Sequence, residues 1–174
     1  MHDISLRLAK IGHQFRLRTI FSGVDLELRQ LRSLAVTGPN GSGKSTLMKI
    51  IAGVLTPSSG TIHLEADQSS ISSDRHFEYL GLVSPYLQLY DEFTAWENLH
   101  LVRRIRGLTM EDDNLTELLA RIKLLDRQHD LVRTFSSGMK QRLKYAFALL
   151  HQPPLLLLDE PTANLDEEGI SMVD

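Results

Sequence analysis

The first half of the chain alternates apolar and polar residues with a period of two. The pattern covers residues 4–8 and 24–28, where Ile, Leu and Val positions are separated by Ser, Arg, Asp and Glu. Because successive side chains of a strand point to opposite faces, this alternation predicts half-buried, antiparallel strands. Short strands are also predicted over residues 61–64 and 79–84, with a surface loop over residues 66–75 between them.

The middle of the chain has the periodicity of amphipathic helices. Residues 94–97 form a Thr-x-x-Glu capping box ahead of an apolar-periodic run over residues 99–105, and Gly107 is expected to end this helix. A second helix begins at residues 109–112, with acidic residues in its first turn. Its buried stripe recurs at helical spacing and consists of Leu115, Leu118, Leu119, Ile122 and Leu125.

The C-terminal part combines one more helix with a continuous apolar strand. The helix is predicted to start after residues 136–138 and to end near Leu150, before two prolines. Residues 155–158 are four leucines, followed by Asp159 and Glu160. Such an uninterrupted apolar run predicts a strand of a parallel sheet that is covered on both faces.

The clearest chemistry lies in a glycine-rich loop between a predicted strand (residues 31–37) and a predicted helix (residues 45–52). The loop consists of Gly38, Pro39, Asn40, Gly41, Ser42, Gly43, Lys44, Ser45 and Thr46. Glycines let backbone N–H groups approach phosphate oxygens, Lys44 supplies a cation for the β- and γ-phosphates, and the Ser45 hydroxyl is the expected Mg²⁺ ligand. The sequence therefore predicts a nucleoside triphosphate site.

Asp159 and Glu160 are the predicted second half of this site. In open α/β sheets, ligands bind at the carboxyl ends of the strands, where these two acids are expected. One carboxylate can hold Mg²⁺ and the other can orient and deprotonate an attacking water. A strand running into a solvated turn would explain the two acids by themselves, but not their occurrence in one chain with a phosphate loop.

Composition narrows the class of protein. A chain of 174 residues is long enough for one domain with a sizeable core. The net charge of −3 gives no general attraction to nucleic acid or to an anionic membrane. There are no cysteines, which excludes disulfides and thiolate metal sites. No run approaches the ~20 apolar residues that span a bilayer, so a function at a membrane would require a spanning partner.

Four motifs together resemble those of the ATP-binding cassette (ABC) ATPases in order and spacing: residues 38–46, 135–139, 155–160 and 163–166. The resemblance covers essentially the whole chain. It implies an α/β fold with a P-loop NTPase core, an antiparallel β subdomain and a helical insertion. It also implies ATP and Mg²⁺ as ligands, and a head-to-tail dimer of cassettes with two ATP molecules between the subunits.

The resemblance assigns a role to each motif. Residues 38–46 are Walker A, Asp159 is the Walker B magnesium residue, and Glu160 is the general base. The D-loop, which meets the opposite subunit, is residues 163–166 and ends at Asp166. The signature motif, usually LSGGQ, corresponds to residues 135–139 and differs at Phe135, Ser137 and Met139. Its Ser136 and Gly138 keep the hydroxyl and the open backbone that can hold the partner's γ-phosphate.

Two further ligand assignments stay open. Phe15 lies near the position where an aromatic of this family stacks on adenine, but an aromatic in a strand can equally belong to the core. The family usually has its Q-loop glutamine where Pro85 stands here. Gln88 either replaces that glutamine as a magnesium ligand or is an ordinary loop residue.

Residues 85–96 align with the segment that grips the coupling helix of a membrane-spanning permease. This segment is unusually apolar for a loop and includes Tyr86, Leu87, Leu89, Tyr90, Phe93 and Trp96. We expect a docking surface here, with a local mini-core as the alternative.

The resemblance predicts a single ABC ATPase domain over residues 1–174, with a nucleotide-binding core (1–85 and 135–174) and a helical subdomain (86–134). The switch histidine of the family would fall beyond Asp174, on a strand that lies between the strand before Walker A and the Walker B strand. We therefore expect a C-terminally truncated cassette, with unpaired backbone groups in its sheet.

The predicted function is ATP hydrolysis that powers an ABC transporter, of the export type, through a separate permease. The protein would then be cytoplasmic and peripheral on the membrane. The alternative is a non-hydrolysing, ATP-dependent dimerisation or regulatory module. No nucleic-acid partner is expected, because the segment between Lys44 and Ser136 has no room for the coiled coil of DNA-repair members, and ribosomal members carry two cassettes.

Overall fold

The computed structural model describes residues 3–30 and 32–161. They form two compact units, the first ending at Leu80 and the second beginning at Gly81. The division predicted from the sequence, a core of residues 1–85 and 135–174 with a helical subdomain of residues 86–134, stays a prediction. Among the described residues, no helix combines the length and the hydropathy that are needed to cross a bilayer.

The first unit contains a four-stranded antiparallel sheet. Its strands are β1 (Ile4–Phe15), β2 (Arg18–Arg29), β3 (Ser59–Ala66) and β4 (Ser69–Ile71), in the order β2-β1-β3-β4. Leu6 lies opposite both Leu28 and Leu64, so the apolar positions of the alternating pattern share one face. This confirms the predicted antiparallel strands. The loop predicted over residues 66–75 is wrong in part, because β4 lies within it.

The segment before the glycine-rich loop differs from the sequence prediction. A strand was expected over residues 31–37, but residues 32–37 have no regular secondary structure and are mostly exposed to solvent. A strand needs a neighbour for its backbone hydrogen bonds, and none of the described strands pairs with this segment. The helix that follows is α1 (Lys44–Ile51), within one residue of its predicted start and end.

The second unit packs three helices beside a pair of strands. After the short α2 (His76–Tyr79), the elements are β5 (Leu80–Val83), α3 (Ala95–Ile105), α4 (Asp112–Arg121), α5 (Ser137–Leu149) and β6 (Leu155–Leu158). The Thr94 and Glu97 capping box at the start of α3 is formed as predicted. Leu99, Leu115 and Leu143, one from each of the three longer helices, are fully buried in one core.

The strand β6 is less covered than its four leucines predict. It pairs with β5, but only Leu157 is buried, and its neighbours Leu156 and Leu158 are half-buried. Both of these leucines pack against Val83, Tyr145 and Ala148. The expectation of a strand covered on both faces is therefore wrong for the described chain, because burial depends on neighbouring elements and not on composition alone.

Candidate functional site

The glycine-rich loop of the first unit is held by a turn and by its own lysine. The Ser42 N–H donates to the Pro39 carbonyl at 3.2 Å. The Lys44 ammonium donates to the carbonyl oxygens of Gly38 (2.9 Å) and Pro39 (3.0 Å). Lys44 is the first residue of α1, so its charge lies where the helix dipole is positive. Charge and dipole together favour an anion at this loop.

Gly43 shows why the loop needs glycine. Its φ is 97°, a left-handed conformation that side chains rarely adopt, and it is the N-cap residue of α1. A Cβ placed on Gly43 would lie 2.6 Å from Ile20 Cγ2 and 2.8 Å from Phe21 Cδ1. The loop backbone therefore packs directly against β2. The N-terminal turn of α1 also lacks an acidic residue and a side-chain cap, either of which would compete with a bound phosphate.

The two acids predicted to manage metal and water follow β6 in the second unit. Asp159 is only 6% exposed, and its backbone N–H donates to the Val83 carbonyl at 2.9 Å. Glu160 is exposed and has a φ of 53°. A left-handed conformation costs a residue with a side chain about 1 kcal/mol or more. Such strain is concentrated at functional sites, where the surrounding structure holds it in place.

Two residues that support this turn were not identified from the sequence. Tyr145 donates its hydroxyl hydrogen to the Pro161 carbonyl at 3.0 Å, and Gln141 donates from Nε2 to the same oxygen at 3.4 Å. Both side chains belong to α5, one helical turn apart, and both residues are buried. Burial raises the pKa of Tyr145 to about 12. In the sequence, the only sign of this pair was the spacing of four residues between Gln141 and Tyr145 on a predicted helix.

The signature-like residues occupy the start of α5. Ser136 is the N-cap, and its hydroxyl oxygen accepts a hydrogen bond from the Met139 N–H at 3.2 Å. Ser136 and Ser137 are exposed, whereas Met139 packs against the helical core. The Ser136 hydroxyl occupies one N–H group at the start of α5, but the first turn has no acidic residue, so its remaining free N–H groups can still donate to an anion.

Of the two open ligand assignments, Phe15 and Gln88, the structure excludes one interpretation of Phe15. Phe15 is 52% exposed, and its ring meets the edge of His13 with centroids 4.6 Å apart, so Phe15 is not a core residue. Its stacking on adenine remains a prediction. Gln88 is exposed and lines a cleft in the second unit with Ser137 of α5. Its role as a magnesium ligand also remains a prediction.

The apolar segment at residues 85–96 divides into two sets of side chains. Leu87, Leu89 and Trp96 pack against the core of the second unit. Tyr86, Tyr90 and Phe93 are exposed, and the last two rings stack with centroids 5.5 Å apart. The local mini-core therefore describes the first set, and the docking surface remains a prediction for the second. The exposed aromatics form a patch suited to a partner.

The side-chain oxygens of the predicted metal ligands suit an Mg²⁺ ion that arrives bound to a nucleotide. Among the described residues, no three His, Asp or Glu side chains cluster in a way that could hold a metal ion. Magnesium needs only one or two protein ligands when phosphates and waters complete its shell. In the first unit Ser45 offers a hydroxyl, and in the second unit Asp159 offers a carboxylate. The predicted D-loop, residues 163–166 with Asp166, lies outside the described residues.

Comparisons with known proteins agree with this chemistry. Residues 21–163 match the family model described as ABC transporter. The chain is 36% identical over 171 residues to the uncharacterized ABC transporter ATP-binding protein YdbJ of Bacillus subtilis, covering 98% of this chain and 55% of YdbJ. It is 34% identical over 165 residues to the lantibiotic transport ATP-binding protein SrtF of Streptococcus pyogenes, covering 95% of this chain and 70% of SrtF.

A solved ATP-binding subunit of an ABC transporter superposes with a TM-score of 0.84 and 27% identity, covering 97% of this chain and 71% of that one. This likeness confirms the α/β fold of a P-loop NTPase of the ABC type. The chain spans about half the length of YdbJ and of other curated relatives. The phosphate loop, the acids after β6 and the family match over most of the sequence have one explanation: the chain belongs to the ABC transporter family of ATP-binding proteins.

Proposed function

We propose that this protein binds and hydrolyses Mg·ATP and that hydrolysis drives transport through a separate membrane-spanning subunit. The observation that carries the proposal is the glycine-rich loop, whose backbone fits tightly against β2 and whose lysine is placed at the start of α1. The family match supports it, because members of this family are in general ATPases.

Different residues of the chain have different roles in the proposed hydrolysis. The loop of residues 38–46 wraps the phosphates, and Lys44 exchanges its two carbonyl contacts for phosphate oxygens. Phe15 offers an exposed ring for the adenine. Glu160 orients the attacking water and accepts its proton, and its left-handed backbone keeps the carboxylate at the end of β6. The Pro161 carbonyl, fixed by Gln141 and Tyr145, positions this turn.

Magnesium, when bound with ATP, neutralises developing charge on the phosphates as a Lewis acid. Ser45 and Asp159 are the residues that would hold it, with Gln88 as a further candidate. Ser136, Ser137, Gly138 and Met139 would contact the nucleotide of a second cassette in a dimer, homo- or heteromeric, and Asp166 would meet the opposite subunit.

The membrane partner would dock on the exposed aromatic patch of Tyr86, Tyr90 and Phe93. Their exposure and the stacking of two of the rings support this assignment. The protein would then lie on the cytoplasmic face of the membrane. Export is the direction we favour, and the similarity to a lantibiotic transport ATP-binding protein supports a role in transport.

The rival function is a module that binds ATP and dimerises without hydrolysis. The displaced glutamine supports this alternative, because Pro85 stands at the position where the family usually has it. Nucleotide binding without phosphate release would favour the rival over a transport ATPase.

The test is steady-state phosphate release by the purified protein and by its Glu160→Gln variant. The variant should still bind Mg·ATP and should lose about 100-fold or more in turnover, because general-base catalysis contributes about that factor. Tyr86→Ala, which alters the docking patch, serves as a control that should keep basal turnover. Equal rates for Glu160→Gln and the wild type would remove Glu160 from the mechanism.

A further inference from the structure

Two lysines on one face of α5 contact the segment of residues 84–91, which carries Tyr86 and Tyr90 of the docking patch. Lys140 and Lys144 are one helical turn apart. The Lys140 ammonium lies 2.8 Å from Asp91 Oδ1. The Lys144 ammonium donates to the carbonyl oxygens of Ser84 (3.4 Å) and Pro85 (3.0 Å). Both ends of the segment 84–91 are therefore tied to the same helix.

Between these two ties the segment stands away from the helix. A cleft of about 400 Å³ separates them, lined by Gln88 on the loop side and by Ser137 and Gln141 on the helix side. Leu87 and Leu89 anchor the segment in the core, while Tyr86 and Tyr90 point to solvent. The two lysines, here called the lysine clamp, bridge this cleft at its two ends.

The segment of residues 84–91 is also held by α3 and by residues 131–133. Asn98 is fully buried; its Oδ1 accepts from the Tyr90 N–H at 3.0 Å, and its Nδ2 donates to the carbonyls of Tyr90 (3.0 Å) and Thr94 (2.9 Å). The Asp91 carbonyl accepts from the Arg133 N–H at 3.0 Å. α3 and residues 131–133 hold this side, and the lysine clamp adds polar contacts with α5 to the packing of Leu87 and Leu89 against the shared core.

The two ties differ in character. Both members of the Lys140 and Asp91 pair are partly exposed, so water and salt weaken this tie. Lys144 is more enclosed, and burial lowers its pKa from the ordinary value. Its ammonium donates to two backbone carbonyls, whereas the Lys140 ammonium is paired with one carboxylate oxygen. Lys144 is therefore the stronger half of the clamp.

We propose that Lys140 and Lys144 are positioning residues that make the docking segment follow the N-terminal end of α5. The inference rests on the proposed function, in which the start of α5 meets a nucleotide and the aromatic patch meets the permease. When the start of α5 is drawn onto a phosphate, the clamp transfers that displacement to residues 84–91 and thereby to Tyr86 and Tyr90. Neither lysine contacts ATP or a reacting atom in this scheme.

Amide hydrogen exchange of the purified protein tests the clamp without a permease. The informative amides are those of Tyr86, Leu87, Tyr90 and Phe93, each of which is hydrogen-bonded within or beside the segment. In Lys144→Met, and more so in Lys140→Met/Lys144→Met, these amides should exchange about tenfold faster, as expected for the loss of a charge-assisted hydrogen bond. Exchange in β1 and β3 should not change.

Arg104→Met is the matched control, since it removes an exposed cation from the neighbouring helix α3. It should leave exchange at the four amides unchanged. Lys140→Met alone should speed exchange less than Lys144→Met does. Asp91→Asn keeps the shape of the side chain and should have the same effect as Lys140→Met, and the exchanged pair Asp91→Lys/Lys140→Asp should restore wild-type exchange. Equal exchange in Lys144→Met and the wild type would overturn the clamp.

Transmission is tested by adding Mg·ATP. In the wild type and in Arg104→Met, nucleotide should change exchange at the four amides, whereas in the double lysine variant the change should disappear while nucleotide affinity stays within about twofold. A wild type that binds Mg·ATP and dimerises, but shows no change at these amides, would overturn the inference alone, whereas one that binds Mg·ATP without dimerising would overturn the dimer of the proposed function. A wild type that does not bind Mg·ATP would instead overturn the proposed function.

Discussion

At the scale of single residues, the site is marked by backbone conformation as much as by side-chain chemistry. Gly43 and Glu160 both have positive φ, one at the phosphate loop and one at the acids after β6. For Gly43 the conformation is free of cost, and the absent Cβ lets the loop pack on β2. For Glu160 it is a strain that the turn around Pro161 must sustain. Tyr145, which donates a hydrogen bond to the Pro161 carbonyl, therefore helps to hold the backbone conformation of Glu160.

The Tyr145 hydroxyl should lose its proton at a higher pH than an ordinary tyrosine does. Its pKa is raised to about 12, whereas an unfolded tyrosine titrates near 10. Below pH 10 the phenol is neutral in both states and pH has no effect through this group. Between about pH 10 and 12 the unfolded state loses the proton first, so stability falls as pH rises.

The measurement is the ultraviolet absorbance of tyrosinate during an alkaline titration. One of the four tyrosines should ionise well after the others, and this late step should be absent in Tyr145→Phe. A wild-type titration in which all tyrosines ionise together near pH 10 would contradict the buried, hydrogen-bonded phenol.

At the scale of elements, helices begin where local sequence predicts and are then joined by buried polar groups. The capping box at Thr94 and the N-cap at Ser136 need only residues within one turn. Asn98, by contrast, extends from α3 to a loop eight residues earlier in the sequence. Its side-chain amide hydrogen-bonds to both the N–H and the carbonyl of Tyr90, as the backbone of a neighbouring strand would.

Asn98→Ala should therefore destabilise the protein by about 2–3 kcal/mol, since it leaves the Tyr90 N–H without its acceptor and opens a small cavity at a fully buried position. Urea unfolding gives this value. Arg104→Ala, at an exposed position of the same helix, should change stability by no more than about 0.5 kcal/mol. If the two variants were equally stable, the amide would not be holding the loop.

At the scale of the whole molecule, the nucleotide should contribute to stability because only the folded protein has the phosphate loop. At Mg·ATP concentrations of about 100 times Kd, the gain is about 2.7 kcal/mol. For a chain of this size, that corresponds to a rise in Tm of about 5–10 °C. Thermal unfolding with and without Mg·ATP measures this rise.

Gly43→Ala should abolish the rise in Tm, because its Cβ would collide with Ile20 and Phe21 and displace the loop. The matched control is Gly107→Ala, where φ is also positive but a Cβ meets nothing within 4 Å. This control should cost about 1 kcal/mol of stability and keep the full response to Mg·ATP. A retained response in Gly43→Ala would contradict the tight packing of the loop.

Much of the fold and of the chemistry could be predicted from the sequence. Period-two alternation identified β1 and β2, Thr94 and Glu97 located the start of α3, and the glycines and Lys44 located the loop that leads into α1. The predicted strand before the loop and the full burial of β6 were wrong. Both depend on a neighbour for hydrogen bonds or for covering, and neither neighbour can be identified from the segment itself.

The sequence by itself determined the features that depend on residues close together in the chain: helix caps, strand alternation, the order of the motifs and the glycine-rich loop that precedes α1. Only the tertiary structure decided that Phe15 is exposed, that the apolar segment divides into anchors and a patch, and that α5 supports the turn after Glu160. The reason is physical. Local hydrogen bonds and periodicity act over a few residues, whereas burial and long-range polar contacts arise only when distant segments meet.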